Sequence, residues 1–230
     1  LDRFRKTFPE KYIDVGIAEQ NLIGIAAGLS SEGYKVFTTT FAPFQTMRCC
    51  EQIKVNLGYM KKKVNLVGLA SGLVLGNLGY THCCIEDISI TRSIPNLTVI
   101  SPADCVETAK AIESSLEHEN SVYIRLTGGQ NNPQVYTKDY KFKIGKAIKL
   151  LDGDDVAIFC TGTMVKECLI AADILKSKSL NCSVINIHTI KPIDKKIIEE
   201  MSNKKKLIVS VEEHSVIGGL GSAISEVKST

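Results

Sequence analysis

The chain has 230 residues, of which 44% are hydrophobic and 23% are charged, and its formal net charge at pH 7 is +3. This composition is ordinary for a globular protein and is enough for one large or two small cores. The small net charge gives no argument for a nucleic-acid partner, and no apolar run reaches the length of a membrane span, so we expect neither kind of partner.

The first clear pattern lies between residues 12 and 29. An apolar run at 13–15 predicts a strand that ends at Gly16, and apolar residues at 22, 25, 26 and 29 follow the spacing of one helix face. Glu19 therefore lies where a strand gives way to the first turn of a mostly apolar helix. Spacing alone favours an acid that interacts with the helix dipole. The alternative is a buried carboxyl with a raised pKa, which suits a proton donor to a ring nitrogen.

Strand-like and helix-like segments alternate through the rest of the first half. The predicted strands are 35–40, 64–70, 97–101 and 122–126, and the predicted helices are 44–57 and 103–117. Ser101 is expected to cap the second of these helices, because Pro102 suits a first helical position. Such alternation predicts a mostly parallel sheet with helices on both faces.

A polar stretch at 128–141 is typical of a linker, after which the alternation resumes. The predicted strands there are 155–160, 182–187 and 207–211, with helices at 163–177, at 192–201 and from about Gly219 onward. We therefore predict two α/β domains, 1–135 and 136–230, each a mostly parallel, doubly wound sheet. The chain opens on a charged stretch and stops inside a predicted helix, so we expect the first domain to be incomplete at its N-terminus and the second at its C-terminus.

The eight cysteines lack the spacing of a small disulfide-rich domain. This pattern indicates reduced thiols, and we therefore expect a cytoplasmic protein. Two adjacent pairs, Cys49-Cys50 and Cys83-Cys84, chelate metals poorly compared with C-x-x-C spacing. No metal site is expected on this chain.

Six stretches, in this order, carry a family resemblance. They are FPEKYIDVGIAEQN at 8–21, TFAPF at 40–44, TH at 81–82, SIPNLTVISPAD at 93–104, IKPID at 190–194 and EEHSVIGGLGSA at 212–223. Together they resemble the pyrimidine-binding and C-terminal domains of the transketolase family. The resemblance implies the thiamine-diphosphate-binding fold followed by the transketolase C-terminal domain. It also implies a transferase of carbohydrate metabolism that uses thiamine diphosphate to move two-carbon ketol units.

The resemblance also implies roles for individual residues. The glutamate that matches Glu19 hydrogen-bonds a nitrogen of the cofactor's aminopyrimidine, and promotes the tautomer that removes the thiazolium C2 proton. Phe41, Phe44 and Met47 match positions that pack around the aminopyrimidine ring. His82 lies in a loop whose family counterpart is beside the reacting carbon of the substrate, where an imidazole can hydrogen-bond the donor or shuttle protons. Without the other motifs, the three-residue spacing would indicate a core stripe, and the lone histidine would fit a structural and a functional role equally well.

Three positions depart from the family pattern. Leu78 stands where transketolases usually carry an acid that contacts ketose hydroxyls, Ala70 where a histidine is common, and Gly128 near an arginine that binds sugar phosphate. Arg92 and Arg125 remain as expected substrate-binding residues. The departures imply a substrate other than an ordinary sugar phosphate, such as a modified sugar or a small 2-oxo acid.

The chain has no Gly-Asp-Gly motif followed by Asn, which is the metal–diphosphate site of the family. We therefore expect a partner chain or an N-terminal part to hold the diphosphate and Mg²⁺. The expected partner is an N-terminal transketolase subunit, in a heterotetramer, or in a homodimer formed through the C-terminal domain. The segment 212–214 is interpreted as structural or interfacial.

Three functions stay open. The first is the pyrimidine-binding subunit of a split transketolase. The second is a subunit like 1-deoxyxylulose-5-phosphate synthase or a 2-oxoacid dehydrogenase β chain. The third is a non-catalytic assembly or regulatory chain of the same fold.

Overall fold

A computed structural model describes residues 2–129 and 132–229; residues 1, 130, 131 and 230 lie outside it, two of them in the predicted linker. The first half contains α1 (Asp2–Thr7), α2 (Glu19–Ser31), β1 (Val36–Phe41), α3 (Ala42–Gln45), α4 (Cys50–Gln52), a π-helical segment (Ile53–Tyr59), β2 (Val64–Ser71), α5 (Asp87–Ser93), β3 (Leu97–Ile100), α6 (Cys105–Glu117) and β4 (Ser121–Thr127). The second half contains β5 (Ile148–Leu151), β6 (Val156–Cys160), α7 (Met164–Lys176), β7 (Cys182–Asn186), β8 (Thr189–Lys191), α8 (Lys195–Lys204), β9 (Leu207–Val211) and α9 (Leu220–Lys228). Within the described ranges no helix has the length and apolar character needed to cross a membrane.

The first sheet has the strand order β1-β2-β4-β3-β8, and its first four strands are parallel. Val36 lies opposite Val64, and Leu97 lies opposite Ser121. The inner strands are buried and rich in Val, Ile and Leu, as expected for a parallel sheet covered by helices on both faces. All four strands predicted in the first half are present, and their ends differ from the prediction by no more than one residue.

The second sheet has the strand order β5-β7-β6-β9. Strand β5 is antiparallel to β7, whereas β6 is parallel to both β7 and β9. Val156 in β6 pairs with Cys182 on one side and Leu207 on the other. The mostly parallel α/β architecture predicted for both halves is therefore confirmed.

Strand β8 belongs to the second half of the chain but completes the first sheet. It runs antiparallel to β3, with Thr189 opposite Ile100 and Lys191 opposite Val99. The predicted helix at 192–201 begins later, at Lys195. The two halves of the chain, divided in sequence near residue 135, are therefore joined by backbone hydrogen bonds between β3 and β8.

The strand predicted at 13–15 is wrong. These residues form irregular backbone, and Ile13 is exposed. No strand within the described residues pairs with them, so the short apolar run has no neighbour to complete a ladder. Glu19 still begins a helix, since α2 starts at that residue.

The single helix predicted at 44–57 is divided into α3, α4 and the π-helical segment. At the break, the Thr46 hydroxyl donates to the Ala42 carbonyl at 2.7 Å, and the Cys49 thiol donates to the Phe44 carbonyl at 3.1 Å. Side-chain donors that take helix carbonyls compete with the regular backbone ladder. The resulting turn, residues 46–49, is part of the site described below.

Helix α6 begins at Cys105 rather than at 103, because Asp104 caps it instead of Ser101. Asp104 Oδ1 accepts from the Glu107 amide at 2.9 Å, the geometry of an N-cap. Its Oδ2 accepts from the amides of Val135 and Tyr136 at 2.8 and 2.9 Å. The Asp104 carboxylate thus holds the backbone of Val135 and Tyr136 against the start of α6.

Candidate active site

The candidate site lies at the carboxyl end of the first sheet. Phe41 is the last residue of β1, Ser71 ends β2, and Thr127 ends β4. Parallel α/β sheets bind ligands outside the carboxyl ends of their strands. Helix α3 and the turn after it, which follow β1, carry the predicted residues Phe44 and Met47, and the loop after β2 carries His82.

Three predicted rings form one cluster. The Phe44 ring lies 5.4 Å from the His82 ring and 6.2 Å from the Phe41 ring, and Phe41 and His82 are 6.3 Å apart, all edge to face. Phe41 is exposed, and Phe44 and His82 are half-buried. A partly exposed aromatic cluster at a sheet end is suited to a flat ligand ring.

The loop that carries His82 is held at both ends. Gly72 and Cys84 exchange two backbone hydrogen bonds, of 2.7 and 2.9 Å. The Leu73 amide also donates to Glu213 Oε1, from the loop after β9, at 2.6 Å. Gly72 has φ +73° and a Cβ there would overlap the Glu213 carboxylate, so this close approach requires glycine.

Thr81 and His82 interact within this loop. The Thr81 hydroxyl lies 3.0 Å from His82 Nδ1. Among the described residues Nε2 has no hydrogen-bond partner, so it is the ring nitrogen open to a ligand. The anchored loop therefore presents an imidazole beside the aromatic cluster.

Glu19 is the first residue of α2 and is only 9% exposed. Arg48 donates from its guanidinium to Glu19 Oε2 at 2.8 Å. Burial raises the pKa of Glu19, but the Arg48 hydrogen bond, the Glu19 backbone amide and the Arg48 charge together outweigh it and lower the pKa. The raised pKa expected for a buried Glu19 is therefore wrong for this chain on its own.

Arg48 is a site residue that the sequence patterns did not identify. Its guanidinium carbon lies 4.0 Å from the centre of the Phe44 ring, in cation–π contact, while its nitrogen binds Glu19. Arg48 therefore connects the carboxylate to the aromatic cluster. A signal existed in the sequence, because positions 44 and 48 would lie on one face of the predicted helix 44–57.

An open cleft of about 460 Å³ lies next to the Glu19–Arg48 pair. It is lined by Ile17, Ala18, Glu19, Gln20, Asn21 and Arg48. Met47, in the same turn as Arg48, is exposed. The Glu19–Arg48 pair thus borders a space that is open to solvent.

The structure places Arg125 away from this cleft, in the interior. It is 1% exposed, and its Nε donates to Asp87 Oδ2 at 2.8 Å. Its other nitrogens donate to the Thr127 hydroxyl at 2.9 Å and to the Glu213 carbonyl at 2.8 Å. Tyr123 donates to the same Asp87 oxygen at 2.7 Å. These buried contacts make Arg125 a structural residue here, and the expected substrate role loses its support.

Arg92 has partners of a similar kind. Its guanidinium donates to the carbonyls of Gly218 and Gly219 at 2.8 and 3.3 Å, and to Glu226 at 2.6 Å. The side chain joins α5 to the start of α9. It does not meet the aromatic cluster, so the substrate role expected for Arg92 also lacks support.

The structure shows the surroundings of the three positions that depart from the family pattern. Leu78 is exposed on the His82 loop, and Ala70 adopts φ +51° near the end of β2. Gly128 has φ +88°, and a Cβ there would overlap the Asn132 side chain. A larger side chain at 128 is therefore disfavoured by both backbone and packing.

No group of three or more His, Cys, Asp or Glu side chains suited to a metal ion occurs in residues 2–129 and 132–229.

The segment 212–214 is held by contacts within the chain. Glu212 accepts from the amides of Leu220 and Gly221 at 2.6 and 2.9 Å, at the start of α9. His214 Nε2 lies 3.9 Å from Asp87 Oδ1, and both groups are buried. These residues thus contact the first half of the chain or α9.

The pyrimidine-binding domain of transketolase matches residues 1–132, and the transketolase C-terminal domain matches residues 145–230. The chain therefore belongs to the transketolase family. It is a transketolase-like transferase chain that carries these two domains.

Several similar proteins are transketolase subunits by name. The chain is 40% identical over 226 residues to the 6-deoxy-6-sulfo-D-fructose transketolase subunit SqwH of Clostridium sp. (strain MSTE9), covering 98% of this chain and 70% of that protein. It is 36% identical to an apulose-4-phosphate transketolase subunit of Phocaeicola vulgatus, covering 100% of this chain and 73% of that protein. A solved structure described as a split gene transketolase, inactive β4 tetramer, superposes with a TM-score of 0.91 at 39% identity, covering 98% of this chain and 73% of that one.

The structural role of Arg125 predicts a large loss of stability in Arg125→Met. The substitution leaves Asp87 buried without its cation, which typically costs about 3–5 kcal/mol of unfolding free energy. Urea denaturation measures it, and the exposed Lys35→Met, which removes a 2.8 Å ion pair with Glu117, is the control. The control is expected to stay within about 0.5 kcal/mol of wild type. A wild-type unfolding free energy in Arg125→Met would contradict the assignment.

Proposed function

We propose that this chain supplies the pyrimidine end of a thiamine diphosphate site in a two-chain transketolase. The observation that carries the proposal is the position of Glu19, at the first turn of α2 and joined through Arg48 to the ring cluster of Phe41, Phe44 and His82. A carboxyl at an open cleft and an aromatic surface joined to it through Arg48 are the two features that a heterocycle with a basic ring nitrogen requires. The residues present therefore fit this end of the cofactor.

Each residue has a distinct task in this proposal. Glu19 holds a proton at a pyrimidine nitrogen, and the faces of Phe41 and Phe44 bind the ring and exclude water from it. His82, with Nδ1 occupied by Thr81, directs Nε2 toward the substrate. Met47, exposed in the turn that carries Arg48, is assigned to the ring surface because it matches a ring-packing position of the family. When bound, thiamine diphosphate supplies the thiazolium carbon that carries the two-carbon unit.

The diphosphate and Mg²⁺ are assigned to a partner. The sequence lacks the family's Gly-Asp-Gly…Asn motif, and the name of SqwH describes that relative as a subunit. We infer an N-terminal transketolase subunit as the partner, in a heterotetramer or in a homodimer formed through the C-terminal domain. The similar split-gene transketolase, described as a β4 tetramer, supports self-association of such chains.

The substrate is proposed to be a modified ketose. Leu78 and Gly128 stand where the family carries an acid for hydroxyls and an arginine for phosphate, and Ala70 stands where a histidine is common. The buried Arg125 does not replace these side chains. The names of the two relatives contain 6-deoxy-6-sulfo-D-fructose and apulose-4-phosphate, which are unusual sugars. Both observations favour an altered sugar over an ordinary ketose phosphate.

Glu19→Gln tests the assigned role directly. The amide keeps the shape of the side chain but cannot supply an acid proton, so hydrogen–deuterium exchange at C2 of the bound cofactor is expected to slow by ~10²–10⁴-fold in the assembled enzyme. Glu113→Gln, at an exposed position of α6, is the control and should exchange at the wild-type rate. Wild-type exchange in Glu19→Gln would refute the role and would favour a non-catalytic chain.

The partner assignment predicts how the cofactor binds. Calorimetry of the chain alone should find very weak binding of thiamine diphosphate, with or without Mg²⁺. Adding the N-terminal subunit should produce binding that depends on Mg²⁺, because the metal neutralises the diphosphate. Tight stoichiometric binding by the chain alone would overturn the assignment.

The substrate proposal predicts that the assembled enzyme uses xylulose 5-phosphate poorly. The kcat/KM for a sulfonated or otherwise modified ketose should exceed that for xylulose 5-phosphate by at least ~10-fold, since one lost hydrogen-bond or charge contact is worth about 1–3 kcal/mol. A panel of ketose phosphates, modified ketoses and pyruvate decides the matter. Efficient turnover of xylulose 5-phosphate with ribose 5-phosphate would show that other residues supply the missing contacts.

A further inference from the structure

The Arg48 guanidinium contacts both Glu19 and Phe44, the two residues to which the proposed function assigns binding of the pyrimidine ring. Arg48 binds Glu19 Oε2 at 2.8 Å and lies 4.0 Å from the centre of the Phe44 ring. A ring that packs on this face of Phe44 needs the space that the guanidinium fills. The Arg48 contact and the proposed ring contact therefore exclude one another at Phe44.

The same conflict exists at Glu19. A carboxyl donates a hydrogen bond to a ring nitrogen only when it is protonated, whereas an adjacent guanidinium stabilises the ionised form. While Arg48 is bound, Glu19 is an acceptor and not a proton donor. The arrangement in the free chain is thus the opposite of the one that the reaction needs.

We propose that Arg48 blocks the pyrimidine site in the free chain and is displaced from Glu19 and Phe44 when the ring binds. The proposal rests on the proposed function, because it takes Glu19 and Phe44 to be ring contacts. It makes Arg48 a positioning residue, which acts on the reaction through the protonation of Glu19.

The geometry allows the side chain to move while its backbone stays in place. The Arg48 amide donates to the Pro43 carbonyl at 3.2 Å, and Gln20 Nε2 donates to the Arg48 carbonyl at 3.1 Å. The side chain itself is 42% exposed and borders the open cleft. Ion pairs with an exposed partner contribute little to stability, so displacement is expected to be inexpensive.

The groups around Glu19 leave Arg48 as its main cation. Gln20 and Asn21, which line the cleft on α2, are uncharged. Cys49, next to Arg48, has its pKa raised to about 12, by burial first and then by the Glu19 charge, and so remains a neutral thiol. Removing Arg48 therefore leaves burial as the dominant influence on the pKa of Glu19, and burial raises it.

The first test measures this titration in the free chain. In ¹³C NMR with labelled glutamate, Arg48→Met is expected to raise the pKa of Glu19 relative to wild type, and Arg48→Lys to raise it less. Lys35→Met removes an equally short but distant ion pair and should leave it unchanged. An unchanged pKa of Glu19 in Arg48→Met would overturn the proposal.

The second test measures binding of thiamine diphosphate to the assembled complex by calorimetry. Because the ring no longer displaces a cation, Arg48→Met should bind about 2- to 5-fold more tightly than wild type, the range set by exposed ion pairs. Weaker binding would show that Arg48 holds the cofactor, and unchanged binding would show that it is not displaced. Either result would overturn the proposal.

The Arg48→Met measurements, compared with C2 exchange in Glu19→Gln, separate this inference from the proposed function. If Glu19→Gln slows C2 exchange but Arg48→Met alters neither the Glu19 pKa nor cofactor binding, the function stands and the blocking role fails. If Glu19→Gln exchanges at the wild-type rate, the function fails whatever Arg48 does.

Discussion

The buried ion pair between Arg125 and Asp87 is the interaction on which the rest of the structure depends. A buried charge is tolerated only when it is paired and its remaining donors are satisfied. The donors of Arg125 are satisfied by groups far apart in sequence: Asp87 on α5, Thr127 at the end of β4 and the Glu213 carbonyl after β9. Meeting that requirement fixes the second half of the chain against the end of the first sheet.

The position of the His82 loop follows from this arrangement. Because the Glu213 backbone is held by Arg125, its side chain is in place to accept the Leu73 amide, and the Gly72–Cys84 backbone pair closes the base of the loop. Gly68 allows the Tyr123 hydroxyl to pass and reach Asp87, since a Cβ at 68 would overlap that ring. The loop that carries His82 is therefore held at its base by hydrogen bonds from both halves of the chain.

The Glu19–Arg48 pair has a different character. Both residues border an open cleft, and Arg48 is a half-exposed side chain on the turn that interrupts the predicted helix. The site thus combines a loop held by hydrogen bonds with a partly exposed ion pair, and the proposed displacement of Arg48 concerns this ion pair.

Local patterns predicted most of the architecture. The strands of the first half and the start of α2 at Glu19 follow from apolar spacing, which depends only on neighbours in sequence. The family motifs directed attention to Glu19, Phe41, Phe44 and His82, and in the folded chain Arg48 and the ring contacts connect them. The strand at 13–15 failed because no strand among the described residues pairs with it, and the continuous helix at 44–57 failed because side-chain hydrogen bonds take its carbonyls.

The sequence by itself therefore determined the α/β alternation, the two mostly parallel sheets and the family to which the chain belongs. Tertiary structure alone decided that β8 joins the first sheet, that Arg125 is a buried structural cation and that Glu19 is ionised beside Arg48. The physical reason is the range of the interactions. Periodicity records which face of an element is apolar, whereas the partner of a charged side chain is chosen by residues brought close only when the chain folds.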